Sequence, residues 1–269
     1  MRSILKFSER PAAGFWKLLQ KSGGANDSER ESQDIGKYSF KFEKPVLDDL
    51  YESFGYSGEL GTIYALQTEL TVHKWHHYIP IYEKHLKKFK GRDIRFLEIG
   101  VYKGGSLEMW RKYLGSEADI YGIDIDKSCL EFSGKHGQVR IGSQDDKDFL
   151  LSVISEMGGL DIVIDDGSHD MKHVHQTLQI LFPLMNDGGV YIVEDLHTAF
   201  WRRFNGGFDS KHNFFSTLFL LSKDMHSWYH GRQRVLPSIS NKLAGIHIYD
   251  SLVVLDKAKM FPPTHSELI

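Results

Sequence analysis

From Ile94 onward the chain alternates short apolar runs with longer amphipathic stretches, a pattern that predicts strand–helix–strand units. The strand candidates are 94–99, 120–124, 139–141, 162–164 and 190–193. Ile162-Val163-Ile164 is apolar at every position, as a strand buried on both faces should be. Between them, 106–114 and 149–157 are predicted helices. Met171, Val174, Leu178, Leu181 and Met185 follow one another at intervals of three and four, which is one face of a helix. A further helix is expected over 214–229. Two strands near 246–248 and 252–255, joined by Tyr249-Asp250-Ser251, read as an antiparallel pair at a sheet edge. Strands alternating with helices imply a doubly wound, mostly parallel sheet in the α/β class.

The first ninety residues read differently, as a helical extension. Trp16, Leu18 and Leu19 suggest a short amphipathic helix, and 21–34 (KSGGANDSERESQD) reads as a linker. Helices are expected over 46–56 and over 62–89, the second interrupted near Pro80. The predicted organisation is therefore 1–90 extension, 91–260 main domain and 261–269 tail.

Composition narrows the function classes. With 41% hydrophobic and 13% aromatic residues among 269, the chain can fill a core. Its 33 basic and 36 acidic residues sum to a charge of −3, which gives no support to nucleic acid as a partner. The run Lys84–Arg92 reads as a solvated helix end. One cysteine, Cys129, excludes an internal disulfide. No apolar run approaches the roughly 20 residues of a membrane helix, and the first ten residues carry no signal-peptide core. The expectation is a soluble cytoplasmic protein, with a homo-oligomer left open.

Candidate chemistry gathers at the predicted strand ends. After the first strand comes Glu98-Ile99-Gly100-Val101-Tyr102-Lys103-Gly104-Gly105-Ser106, a glycine turn entering a helix, without the G-x-G-x-x-G spacing of dinucleotide sites. An acid before the turn suits an ammonium, and helix N–H groups suit a carboxylate. Asp124 ends the second strand, where an acid can accept from ribose hydroxyls. Gln144 and Asp145 follow the third and can meet an adenine edge. Amino acid, ribose and adenine together describe S-adenosylmethionine. Each glycine also has the plainer reading of an ordinary turn.

Two acidic motifs end strands four and five: Asp165-Asp166-Gly167-Ser168-His169 and Glu194-Asp195. Four acids converging in one crevice need a cation, and carboxylate oxygens suit Mg2+. Asp166, Glu194 and Asp195 are the expected ligands. His169 is the expected general base and His197 its rival. Asp165 is placed near a sulfonium, with the alternative that Asp165 or Asp166 caps the next helix. His173 and His175 are expected on that helix's surface. The aromatic and glycine-rich 201–208 reads either as a wall of the crevice or as core.

The segments LEIGVYKGGSLEMW, YGIDID, GSQDD, IDDGSHDMKHVHQTLQILFPLMNDGGVYIVEDLHTAFW and IHIYDSLVVLDK resemble the class I S-adenosylmethionine-dependent methyltransferases. More narrowly, they resemble the magnesium-dependent sugar O-methyltransferases of macrolide antibiotic biosynthesis. The resemblance runs from about Thr71 to Lys257, and IDDGSH and VEDLHTAFW are its specific parts. It implies a Rossmann-like sheet of seven strands and a small-molecule acceptor bearing a hydroxyl, a sugar or glycosylated natural product. It also implies Asp166, Glu194 and Asp195 as metal ligands and His169 as base. Competing readings are a metal-dependent hydroxylase or hydrolase on the same fold, or a non-catalytic scaffold.

Overall fold

The computed structural model describes residues 45–269; the expected helix near Trp16 and the linker at 21–34 lie outside the described residues. Helices α1 (Val46–Phe54), α2 (Glu59–Ala65) and α3 (Tyr78–Leu86) lead into strand β1 (Arg95–Ile99). Then follow α4 (Gly105–Leu114), β2 (Asp119–Asp124), β3 (Gln138–Ile141), α5 (Lys147–Met157), β4 (Ile162–Asp165), α6 (Met171–Leu181) and β5 (Val190–Val193). The chain continues with α7 (Phe214–Met225) and α8 (Pro237–Ser240), and ends its regular structure with β6 (Leu243–Tyr249) and β7 (Leu252–Lys257).

All seven strands join one sheet in the order β3-β2-β1-β4-β5-β7-β6. The first five are parallel, and β7 runs antiparallel to both β5 and β6. This is the Rossmann-like α/β architecture that the strand–helix alternation predicts. No helix among the described residues is long and apolar enough to cross a membrane.

Two expectations are corrected. The helix over 62–89 is two helices separated by residues 66–77, and Pro80 sits in the first turn of α3 rather than at a break. A first-turn residue has no intrahelical N–H bond to lose, so proline is tolerated there. The helix over 214–229 ends as α-helix at Met225 and finishes in a short 3-10 turn, Ser227–Tyr229.

Side chains of alternate strand residues point to opposite faces. Leu97, Ile99, Val163, Tyr191 and Val193 pack with Leu150, Leu178 and Leu221 of α5, α6 and α7. Phe96, Ile162, Ile164, Val190 and Ile192 pack with Trp110 of α4 and with Leu50, Leu60, Tyr82 and Leu86 of α1–α3. The described part of the N-terminal segment is thus built into the core on one side of the sheet.

Candidate active site

Strand order reverses between β1, which leads out to β2 and β3, and β4, which leads to β5. In such sheets the crevice outside the carboxyl ends of the strands at the reversal is where ligands sit. A cavity of about 360 Å³ opens there, lined by Lys74, Gly100, Ser106, Asp124, Asp166, His169 and Asp195 among others. That volume falls in the range of small-molecule sites, about 300–1,000 Å³.

The turn after β1 explains its glycine. Gly100 has φ +95°, and a Cβ there would lie 2.2 Å from the carbonyl oxygen of Asp166. The β1 and β4 ends therefore meet only because position 100 has no side chain. Gly104 precedes α4, and at Gly105 a Cβ would strike the Thr71 backbone at 2.4 Å. Gly105 is thus needed for chain passing over chain. Asp124 Oδ2 accepts from the N–H groups of Val101 and Tyr102 at 2.9 and 3.1 Å, and Oδ1 from Asp126 N at 2.9 Å. These bonds fix the carboxylate at the cleft wall and leave it further lone pairs.

Strand parity sorts the acids. Glu98 and Glu194 share the parity of Phe96, Val190 and Ile192 and so lie on the face toward α1–α4, and both are buried. Glu98 Oε2 accepts from Ser106 Oγ at 2.6 Å and Oε1 from Trp110 Nε1 at 3.2 Å. Between them lies a residue the sequence reading did not select, Lys74. Its Nζ is 2.6 Å from Asp166 Oδ2, 2.9 Å from Glu194 Oε2 and 3.6 Å from Glu98 Oε1. Burial works against the charge of this ammonium, but Asp166, Glu194 and Glu98 outweigh it and hold its pKa well above the ordinary lysine value. Burial first, and the neighbouring Asp166 second, push Glu194 well above the usual carboxylate range, with Lys74 opposing.

Asp165 falls on the other face. It is buried against Gln144 Nε2 at 3.1 Å and Tyr191 Oη at 3.2 Å, and burial pushes its pKa up to about 6. Gln144 is used up within the protein. Its Nε2 also reaches Thr177 Oγ1 at 3.1 Å, and its Oε1 accepts from Ser168 N at 2.6 Å. The geometry places Gln144 and Asp165 beneath the β4 turn, bonded to each other and to Thr177, Ser168 and Tyr191. Asp145 is tied to Ser143 and lies 3.5 Å from His173. Neither acid of the Asp165-Asp166 pair caps α6; Asp170 does, accepting from Lys172 N at 2.9 Å.

Asp166, His169 and Asp195 face the cleft with ligand atoms within 4.8 Å of one another. Asp195 Oδ1 accepts from Trp75 Nε1 at 3.1 Å and from the Tyr78 hydroxyl at 2.9 Å, while Oδ2 lies 3.8 Å from His169 Nε2. His169 and Asp195 both hold left-handed backbone, φ 55° and 54°. Non-glycine residues pay for that conformation, and such strain gathers at functional sites. Of the three expected metal ligands, Asp166 and Asp195 are brought together at the cleft, and Glu194 is held back with Lys74. His197 turns to Ser251 Oγ at 2.7 Å, and burial lowers its pKa. Trp201 packs 4.8 Å from His197, and the Phe204 ring lies 6.3 Å from His169, so the 201–208 segment approaches the site from that side.

Lys74, Trp75 and Tyr78 were not legible as site residues. Their partners come from β1, β4 and β5, remote in sequence, and only the aromatic density of HKWHHYIPIY marks the segment.

The comparisons agree with this geometry. Residues 97–196 match the methyltransferase domain family. The chain is 34% identical over 220 residues to 8-demethyl-8-(2-methoxy-alpha-L-rhamnosyl)-tetracenomycin-C 3'-O-methyltransferase of Streptomyces olivaceus, covering 75% of this chain and 54% of the relative. It is 35% identical over 204 residues to mycinamicin VI 2''-O-methyltransferase of Micromonospora griseorubida, covering 68% and 49%. Among solved structures it is similar to the MycE methyltransferase in complex with Mg, SAH and mycinamycin VI, with a TM-score of 0.65, 28% identity and coverage of 80% and 54%. The chain spans about half the length of these relatives. The strand order, the cleft at its reversal and these matches agree, and over residues 97–196 the chain is similar to the methyltransferase domain family.

Proposed function

We propose that this protein is an S-adenosylmethionine-dependent, magnesium-assisted O-methyltransferase acting on a sugar hydroxyl of a glycosylated small molecule. One observation carries the reading. The reversal of strand order gathers Asp124, the Gly100 turn, Asp166, His169 and Asp195 around a single cleft.

The residues present suit both groups. Asp124 offers fixed acceptor oxygens for a ribose, and Ser106 stands where α4 begins at the cleft wall. Lys74 is shared by three carboxylates, Glu98, Asp166 and Glu194, with Asp195 beside them, so negative charge remains uncompensated. A hard divalent cation matches that surplus and the oxygen donors. Asp166 and Asp195 would hold it, with Glu194 the buried third acid. When bound, S-adenosylmethionine supplies an electrophilic methyl group, and magnesium supplies positive charge that favours loss of a hydroxyl proton.

The chain's own part is to bind, orient and take the proton. Asp195, held by Trp75 and Tyr78, keeps Oδ2 near His169 Nε2. A proton accepted at Nε2 is then stabilised by that carboxylate. Trp201 and Phe204 shield this side of the cleft. The relatives named for rhamnosyl and mycinamicin acceptors support a saccharide substrate.

The test is calorimetric titration with S-adenosylhomocysteine, together with methyl transfer to a rhamnosylated acceptor with and without chelator. Saturable binding is expected, with turnover lost in chelator. His169→Ala should still bind S-adenosylhomocysteine while transferring at least about 100-fold more slowly. Undiminished turnover in excess chelator would overturn the role of magnesium, and absent binding would overturn the whole reading.

A further inference from the structure

At the other end of α3 from Tyr78, the helix meets the antiparallel sheet edge. There His85 in the last turn of α3, His247 on β6 and Asp256 on β7 converge. One ring nitrogen from each histidine and one carboxylate oxygen lie within 4.8 Å of one another. His247 Nε2 is 2.7 Å from Asp256 Oδ2, and the two imidazole rings are 4.7 Å apart between centroids at 62°. We propose that His85, His247 and Asp256 form a second metal site, selective for a zinc-type transition-metal dication, which clips α3 to the β6–β7 edge.

The donor set carries the choice of ion. Two imidazoles and one carboxylate suit zinc, whereas magnesium prefers oxygen alone. Metal–donor lengths of about 2.0–2.2 Å place neighbouring donors of a tetrahedral site about 3.3 Å apart. The observed donor separations, from 2.7 Å between His247 Nε2 and Asp256 Oδ2 up to no more than 4.8 Å, bracket that spacing.

The surroundings are built for it. Position 245 lies opposite Asp256 in the β6–β7 ladder, at a shift in register. A Cβ at Gly245 would come 2.9 Å from Asp256 Oδ2 and 3.4 Å from His247 Nε2, so glycine is what leaves room for the two donors. His85 Nε2 lies 2.9 Å from the Tyr249 hydroxyl, which also accepts from Lys84 Nζ at 3.0 Å. Anchoring one ring nitrogen to a neighbour is the usual support for a ligating histidine. His85 is buried, while the side chains of His247 and Asp256 are 37% and 32% exposed. The site thus has one fixed ligand and two that face solvent, where an ion enters and a water completes the coordination.

The test uses the full chain, stripped with chelator, and titrates it with Zn2+ by calorimetry and with Co2+ by its visible absorption. Wild type should take up one equivalent that persists in Asp195→Asn, a change in the cleft. His247→Ala and Asp256→Asn should each weaken that binding at least about tenfold and abolish the rise in Tm that zinc gives wild type. Zinc binding that is absent, lost in Asp195→Asn, or unchanged in both edge variants overturns the site and leaves the edge as a hydrogen-bonded His–Asp pair. Because His247→Ala should bind S-adenosylhomocysteine as wild type does, this outcome stands apart from that of the methyl-transfer tests.

Discussion

Lys74 decides the electrostatics of the cleft. Removing one partner of a buried ion pair strands the other charge, at a cost of about 3–5 kcal/mol. Lys74→Met should therefore lower the unfolding free energy by an amount of that order, seen as a lower denaturant midpoint, and added Mg2+ should recover part of the loss. Equal stability of variant and wild type in urea titration would show that the three acids do not depend on it. His175 gives a pH signature. The sequence placed it on the surface of α6, but it lies between α6 and α7, with Nε2 2.6 Å from Thr217 Oγ1 and its ring 5.3 Å from that of Phe214. Burial lowers its pKa from the ordinary 6.5. The unfolded chain then binds more protons than the folded one just below pH 6.5, so stability must fall as pH drops through that value. Wild type should lose more in Tm between pH 7.5 and 5.5 than His175→Gln; parallel curves would refute the assignment. The acids at strand ends were legible because a strand end is marked by its apolar run. Lys74 was not, because its meaning depends on three strand ends that only the sheet assembles.

At the level of elements, boundaries followed from what each segment buries. Strand β5 is apolar throughout and β4 up to its closing Asp165, so both are legible nearly to the residue, while the 62–89 segment is not, because its amphipathic pattern continues across the irregular 66–77 stretch. The start of α6 is instructive. Asp165 and Asp166 were candidate caps by position, yet strand β4 carries the chain through Asp165, and the turn at Gly167–His169 delays the helix to Met171. Asp170 is the cap, and its other oxygen accepts from Asn205 Nδ2 at 2.5 Å, tying the helix start to the 201–208 segment. Asp170→Ala should cost about 1 kcal/mol in denaturant unfolding. A shift of the midpoint too small to measure would mean that α6 is held by its apolar face alone.

Across the whole molecule, the expected seven-stranded sheet with its antiparallel edge is present, and the helices before it share its core. Tyr82 and Leu86 of α3 pack with Phe96 and Trp110, so residues 46–90 and the sheet should melt together. Tryptophan fluorescence and far-ultraviolet circular dichroism should give coincident urea transitions; separate midpoints would mark the helices as an independent unit. Lys74 lies ahead of the matched domain, whereas Glu98, Asp166 and Glu194 lie inside it. A fragment trimmed to 97–196 would inherit three crowded anions without their internal counterion. Trimming to the recognisable domain would thus remove the neutralising partner together with the helices, and any excised version of this protein must begin upstream of Thr71.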